Sequence, residues 1–79
     1  MVLSIHHQRY ESMRARMKAM RLEAGLTQAQ MARRLKMVDQ SYVSKIERGE
    51  RYVDVMFFLD WCTACGVRAS DIVSEFEAD

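Results

Sequence analysis

The sequence predicts an all-α fold of five helices. Three observations predict it: proline is absent, glycine occurs only three times, and the apolar residues recur at helical spacing. Sheets need turn residues more often than Gly25, Gly49 and Gly66 supply, so an all-β architecture is excluded. With 79 residues there is room for one small domain, read as 1–79 with residues 1–9 as an N-terminal extension. Hydrophobic residues at 49% and charged residues at 29% match a folded domain rather than a disordered chain. A domain this small buries only about 60% of the surface its unfolded chain exposes, which makes association with a second copy an expectation.

The first helix is read from Tyr10, Met13, Met17, Met20 and Ala24, whose spacings of 3, 4, 3 and 4 form one buried stripe. Gly25 ends it. Thr27 followed by Gln30 is a capping box and opens the second helix, whose inward face is Met31, Ala32 and Leu35. The pattern lapses over Lys36, Met37 and Val38, and Asp39 is suited to cap a third helix that runs to Arg48 and stops at Gly49. Only Val43 and Ile46 in that helix are apolar and share a side. Ser41, Ser44, Lys45 and Arg48 then face outward, with Gln40 at the leading edge and Tyr42 on the flank. Asp54 caps a fourth helix with Val55, Phe58, Leu59, Cys62 and Cys65 on the core side and Gly66 at its end. A short fifth helix is predicted over residues 69–77, carrying Ile72, Val73 and Phe76.

The net charge of +1 conceals a division. Residues 1–51 hold eleven of the twelve Lys and Arg against five acids, a net of +6, and residues 52–79 hold Arg68 against six acids, a net of −5. Such a split suggests one basic face for a polyanion and an acidic back left in solvent.

Two short helices joined by a tight turn, the second polar on its outer side, make a helix-turn-helix arrangement at about residues 27–48. A duplex major groove admits one α-helix, whose amide, hydroxyl and ammonium groups can reach base edges. Gln40, Ser41 and Lys45 supply those three groups, and the free amides at Thr27 and Gln28 suit a phosphate oxygen. The segments GLTQAQMARRL (25–35), QSYVSKIERGER (40–51) and ACGV (64–67) resemble the Cro/C1-type, or xenobiotic-response-element (XRE), helix-turn-helix regulators, over about Met13 to Ile72.

The resemblance implies a compact five-helix, lambda-repressor-like domain that reads operator DNA with its third helix, usually as a homodimer on a two-fold site. By that resemblance Gln40, Ser41 and Lys45 read bases. By the same resemblance Gln28 touches a phosphate, and Tyr42, Ser44 and Arg51 flank the backbone contacts; Thr27, from its free amide, and Arg48, from its outward position, are expected to join them. Arg21 is expected to pair with Glu47, because the family often joins an arginine at this place to the glutamate of IERG. The chain departs from the family pattern at KMVD (36–39), four residues where three beginning with glycine are usual. A second helix prolonged to Lys36 would absorb the extra residue. Position 53 is Val where many relatives carry Pro, and Asp54 as a cap should compensate.

Met56, Phe57 and Trp61 lie beyond the core stripe of the fourth helix and, with Phe76, are expected to form a dimer interface. The alternative is that Trp61 and Phe76 cover each other within one chain. Cys62 and Cys65 read as core packing, since no second CxxC completes a zinc site, and no metal or cofactor is expected. His6 and His7 diverge on a helix and suit a surface arm. Ser44 lacks a positioned base and no paired carboxylates line a cleft, so an enzyme has nothing to work with.

No apolar run approaches the roughly 20 residues that span a bilayer, no signal peptide is read, and a cytoplasmic setting is expected. The predicted function is a sequence-specific regulator of transcription that binds double-stranded operator DNA as a homodimer, most simply a repressor. A DNA-binding antitoxin, a restriction-system controller, or the same fold serving as a protein-interaction module are the alternatives.

Overall fold

The computed structural model describes residues 3–37 and 39–77, with side chains from Gln8 onward. Five helices follow one another: α1 (Leu3–Glu23), α2 (Gln28–Arg34), α3 (Gln40–Arg48), α4 (Val55–Cys65) and α5 (Ala69–Ser74). Among the described residues there is no strand. Nor is any helix long and apolar enough to cross a membrane.

Helix α1 begins earlier than the spacing of its apolar residues predicts. Residues 3–9, expected as an extension, are helical backbone and include His6 and His7. No proline or glycine interrupts the chain before Gly25, so a helix anchored further along propagates freely toward its start. The anchors are contacts to the other end of the chain: Arg9 donates to the Phe76 carbonyl, and Arg16 bridges Glu75 at 2.9 Å. Met17 and Met20 are buried as expected, whereas Ala24 lies exposed in the turn after the helix.

The core is Met17, Met20, Leu26, Met31, Ala32, Val43, Ile46, Phe58, Trp61, Cys62 and Ile72. Its centre corrects the sequence reading of α4. Trp61, expected on the outer face, is wholly buried, and its indole Nε1 donates to the Met17 carbonyl at 2.9 Å. Val55 and Leu59, expected inward, are 72% and 38% exposed. Apart from Asp60 every residue of the segment VMFFLDWC is apolar, so its period does not single out one face. Tertiary packing makes the choice, and it favours the residue with the largest area to bury and a donor that needs a partner. Helix α5 stops at Ser74, short of the predicted residue 77, and Phe76 follows in the next turn, half-buried.

The turn between α2 and α3 also departs from expectation. Helix α2 ends at Arg34 instead of reaching Lys36, and Lys36 takes a left-handed backbone with φ of 59°. Its amide donates to the Arg33 carbonyl, and that of Met37 to the Ala32 carbonyl. This is the closing motif that glycine usually completes, here built on a lysine. The extra residue of KMVD therefore goes into the turn, and Met37 packs against the core.

Candidate nucleic-acid interface

Three local devices fix the pair α2–α3. The capping box at Thr27 is complete: the Thr27 hydroxyl accepts from the Gln30 amide at 3.1 Å, and the Gln30 side chain accepts from the Thr27 amide at 2.9 Å. At the start of α3, Asp39 accepts from the Ser41 amide at 2.8 Å and also from the Ser41 hydroxyl. At its end, Gly49 adopts φ of 82°, and a Cβ there would run into the Arg14 guanidinium.

The third dimension is held by a buried charge cluster. Arg21 places Nε 2.6 Å and Nη2 3.0 Å from the two carboxylate oxygens of Glu47, and its Nη1 donates to the Leu26 carbonyl at 2.8 Å. Only 7% and 3% of the two side chains remain exposed. Gln28 adds a third donor to Glu47 at 3.1 Å. These bonds join α1, α2 and α3 through one carboxylate. They set the roll of α3 about its axis as well as its position, because Val43 and Ile46 on the adjacent side are sealed in the core. Every buried side-chain nitrogen and oxygen among the described residues has a partner. Charges taken this far from water persist only under that condition.

With that roll fixed, Gln40 and Ser41 are exposed at the first turn of α3, and Lys45 is half-buried one turn later. Arg48 is exposed but engaged: it grips Glu50 at 2.8 and 3.2 Å and donates to the Ser44 hydroxyl. Tyr42 is half-buried, its ring 6.0 Å from that of Phe57, with the Arg51 guanidinium 5.0 Å over its face. Thr27 and Gln28 stand at the start of α2, their side chains already engaged in the capping box and on Glu47. The structure thus gathers Ser41, Tyr42, Lys45 and Arg51 round one concavity of about 310 Å³, together with Lys36, Met37 and Asp39.

Reasoning from sequence missed three members of that concavity as site residues, Lys36, Met37 and Asp39. Asp39 was legible as a helix cap, but nothing in a cap signal says that the carboxylate also faces the same hollow as Lys45. Lys36 and Met37 were hidden by the unexpected turn.

Residues 12–72 match a family described as a helix-turn-helix domain. An XRE-family like protein from Pseudomonas syringae pv. tomato str. DC3000 has the same structure at a TM-score of 0.89 and 36% sequence identity, over 95% of this chain and 90% of that one. This chain belongs to the XRE family of helix-turn-helix proteins. No curated protein matches it by sequence. As an XRE-family chain it carries a Cro/C1-type helix-turn-helix DNA-binding domain.

The electrostatics of this XRE-family interface follow from the bonds. The two donors on Ser41, with Lys45 nearby, hold the Asp39 carboxyl below the usual carboxylate range. Glu50 is lowered chiefly by its bond to Arg48, and Arg48 is raised in return. Burial pushes the Cys62 thiol up and the Cys65 thiol up to about 11, so neither is poised as a nucleophile or a metal ligand.

The expected dimer residues do not share a surface. Met56 is exposed, Phe57 is half-buried between Tyr42 and Trp61, Trp61 is in the core, and Phe76 lines a groove. The exposed apolar face at this end consists of Val55, Met56, Leu59 and Val73. Of these, Val55, Leu59 and Val73 form part of the wall of a groove of about 470 Å³, together with Tyr10, Met13, Val53, Phe58 and Phe76.

Proposed function

We propose that this chain is a sequence-specific regulator of transcription that represses by seating a homodimer on a two-fold operator in double-stranded DNA. The observation that carries the reading is α3: both of its buried residues are apolar, and the buried Arg21–Glu47 pair holds its polar side toward solvent. Gln40 and Ser41 would meet base edges from the exposed first turn of that helix, and Lys45 from one turn further on, where it is half-buried. Thr27, Gln28, Tyr42, Ser44, Arg48 and Arg51 would line the phosphates on either side, Arg48 after exchanging Glu50 for a phosphate oxygen. Repression needs nothing more than occupancy that excludes polymerase, in a cytoplasmic setting.

Support for the homodimer comes from Val55, Met56, Leu59 and Val73, which stand in water on the side bearing the acidic half of the chain. A two-fold contact there would leave both α3 helices free, to enter grooves about 34 Å apart. The same side chains favour one rival reading, a protein-interaction module in which the groove takes a partner and the basic face is incidental.

The test is selection of bound duplexes from a random pool, followed by binding at several salt concentrations. A two-fold motif with affinity falling steeply as salt rises supports a dimeric operator-binding protein, because phosphate contacts release counterions. Absence of any enriched motif sinks the reading.

A further inference from the structure

The start of α3 holds an arrangement that a list of base-reading side chains does not contain. Ser41 has one hydroxyl proton, and it points at Asp39 Oδ1. The Ser41 amide donates to the same oxygen at 2.8 Å. What remains outward at this corner is therefore acceptor only: the lone pairs of Ser41 Oγ and those of the Asp39 carboxylate that the Ser41 and Tyr42 amides leave free. Both residues are exposed, and both line the concavity that also contains Lys45.

Bases differ in what they show such a corner. Guanine presents two acceptors in the major groove, thymine an acceptor and a methyl, and adenine a donor beside the N7 acceptor. Each of those acceptors would oppose a carboxylate. Cytosine alone presents an amino donor, N4, with no acceptor on its own major-groove edge, the nearest being O6 of the guanine it pairs with. We propose that Asp39 is a specificity-determining residue, and that with the oriented hydroxyl of Ser41 it selects cytosine in each half-site of the DNA this protein binds. This rests on the DNA-binding reading above. The donors on Ser41 hold the Asp39 carboxyl below the usual carboxylate range, so it is ionised and the corner is negative at neutral pH. Lys45, one helical turn on, is a donor of opposite character and suits guanine. Acceptor and donor side by side give the helix two unlike readings along one strand.

The experiment is the same selection from a random duplex pool, run with the full chain as wild type, Asp39→Asn and Ser41→Ala. Asn caps a helix about as well as Asp, so Asp39→Asn is expected to keep wild-type helicity by circular dichroism. The wild type should enrich cytosine at one fixed position of each half-site. Asp39→Asn should shift that position toward adenine, whose N6 and N7 fit a carboxamide, by about tenfold or more in relative affinity, while the other positions stay as they are. Ser41→Ala, with the carboxylate still in place, should weaken the cytosine preference several-fold without replacing it.

An Asp39→Asn motif identical to that of the wild type would overturn the proposal while leaving the DNA-binding reading intact. So would an Asp39→Asn protein that stays helical yet enriches nothing. Failure of the wild type to enrich any motif would instead remove the reading beneath it.

Discussion

The α2–α3 pair and helix α4 are built on different principles. The pair is fixed by polar bonds at defined atoms: a capping box, an aspartate cap and one carboxylate shared by Arg21 and Gln28. Helix α4 has its own aspartate cap and two hydrogen bonds to other helices, from Trp61 to the Met17 carbonyl and from Arg34 to the Ala64 carbonyl, but it is held mainly by packing, with Phe58, Trp61 and Cys62 sunk in the core. Polar bonds have direction, so they set the roll of a helix to within a fraction of a turn. Apolar burial rewards area from any direction. The surface proposed above to read a groove sits on the first kind of element, while the second supplies the mass that supports it.

The largest expected effect lies in α4. Trp61→Ala should cost about 5 kcal/mol in denaturant unfolding, since it opens a large cavity and removes the donor to the Met17 carbonyl. Met56→Ala, on the exposed side of the same helix, should stay within about 0.5 kcal/mol. Equal losses for the two would show that the buried face has been misassigned.

Glu47→Gln comes next. It keeps the shape of the side chain but leaves the Arg21 guanidinium buried without its counter-charge, at a cost of about 3 kcal/mol. Glu50→Gln breaks an ion pair whose partners are both about half exposed and should cost less than about 1 kcal/mol. If the two substitutions prove equivalent in a thermal melt, α3 is not held by its buried pair.

The two regions were also unequally legible. Thr27, Gln30, Asp39 and Gly49 announce helix ends through local chemistry, and the predicted bounds of α3 stand as drawn. The face of α4 was misread because Val55, Leu59 and Trp61 are all apolar and only a folded neighbour distinguishes them. The turn at Lys36 was misread for a related reason. A left-handed lysine has no composition signal, and the sequence offered a longer helix as the simpler way to absorb one residue. At the recognition surface the residue types were readable, but the proton that Ser41 gives to Asp39 was not, because it depends on the rotamer each side chain takes.

That turn supplies a smaller prediction, of opposite sign. A non-glycine residue in the left-handed region carries a cost that glycine does not, so Lys36→Gly should stabilise the fold by about 0.5 to 1 kcal/mol, read as a rise in denaturation midpoint. A fall would mean that Lys36 makes a contact worth more than its backbone costs.

The smallest expected effect is none on stability and a large one on reactivity. With its pKa up at about 11, Cys65 should be alkylated at pH 8 about a hundredfold more slowly than a free thiol, and at the ordinary rate once denatured. Rapid labelling of the native protein would show that α4 opens on its own.

The bond between Tyr10 and Val53 also links two positions in heredity. The Tyr10 hydroxyl accepts from the Val53 amide at 2.7 Å, across 43 residues of chain. Proline has no amide proton to give. A lineage that acquired proline at 53 would leave the tyrosine oxygen without its donor, and phenylalanine at 10 would then serve as well. A lineage that keeps valine has a reason to keep the phenol. The two sites should therefore drift together, tyrosine with a hydrogen-bearing residue and phenylalanine with proline.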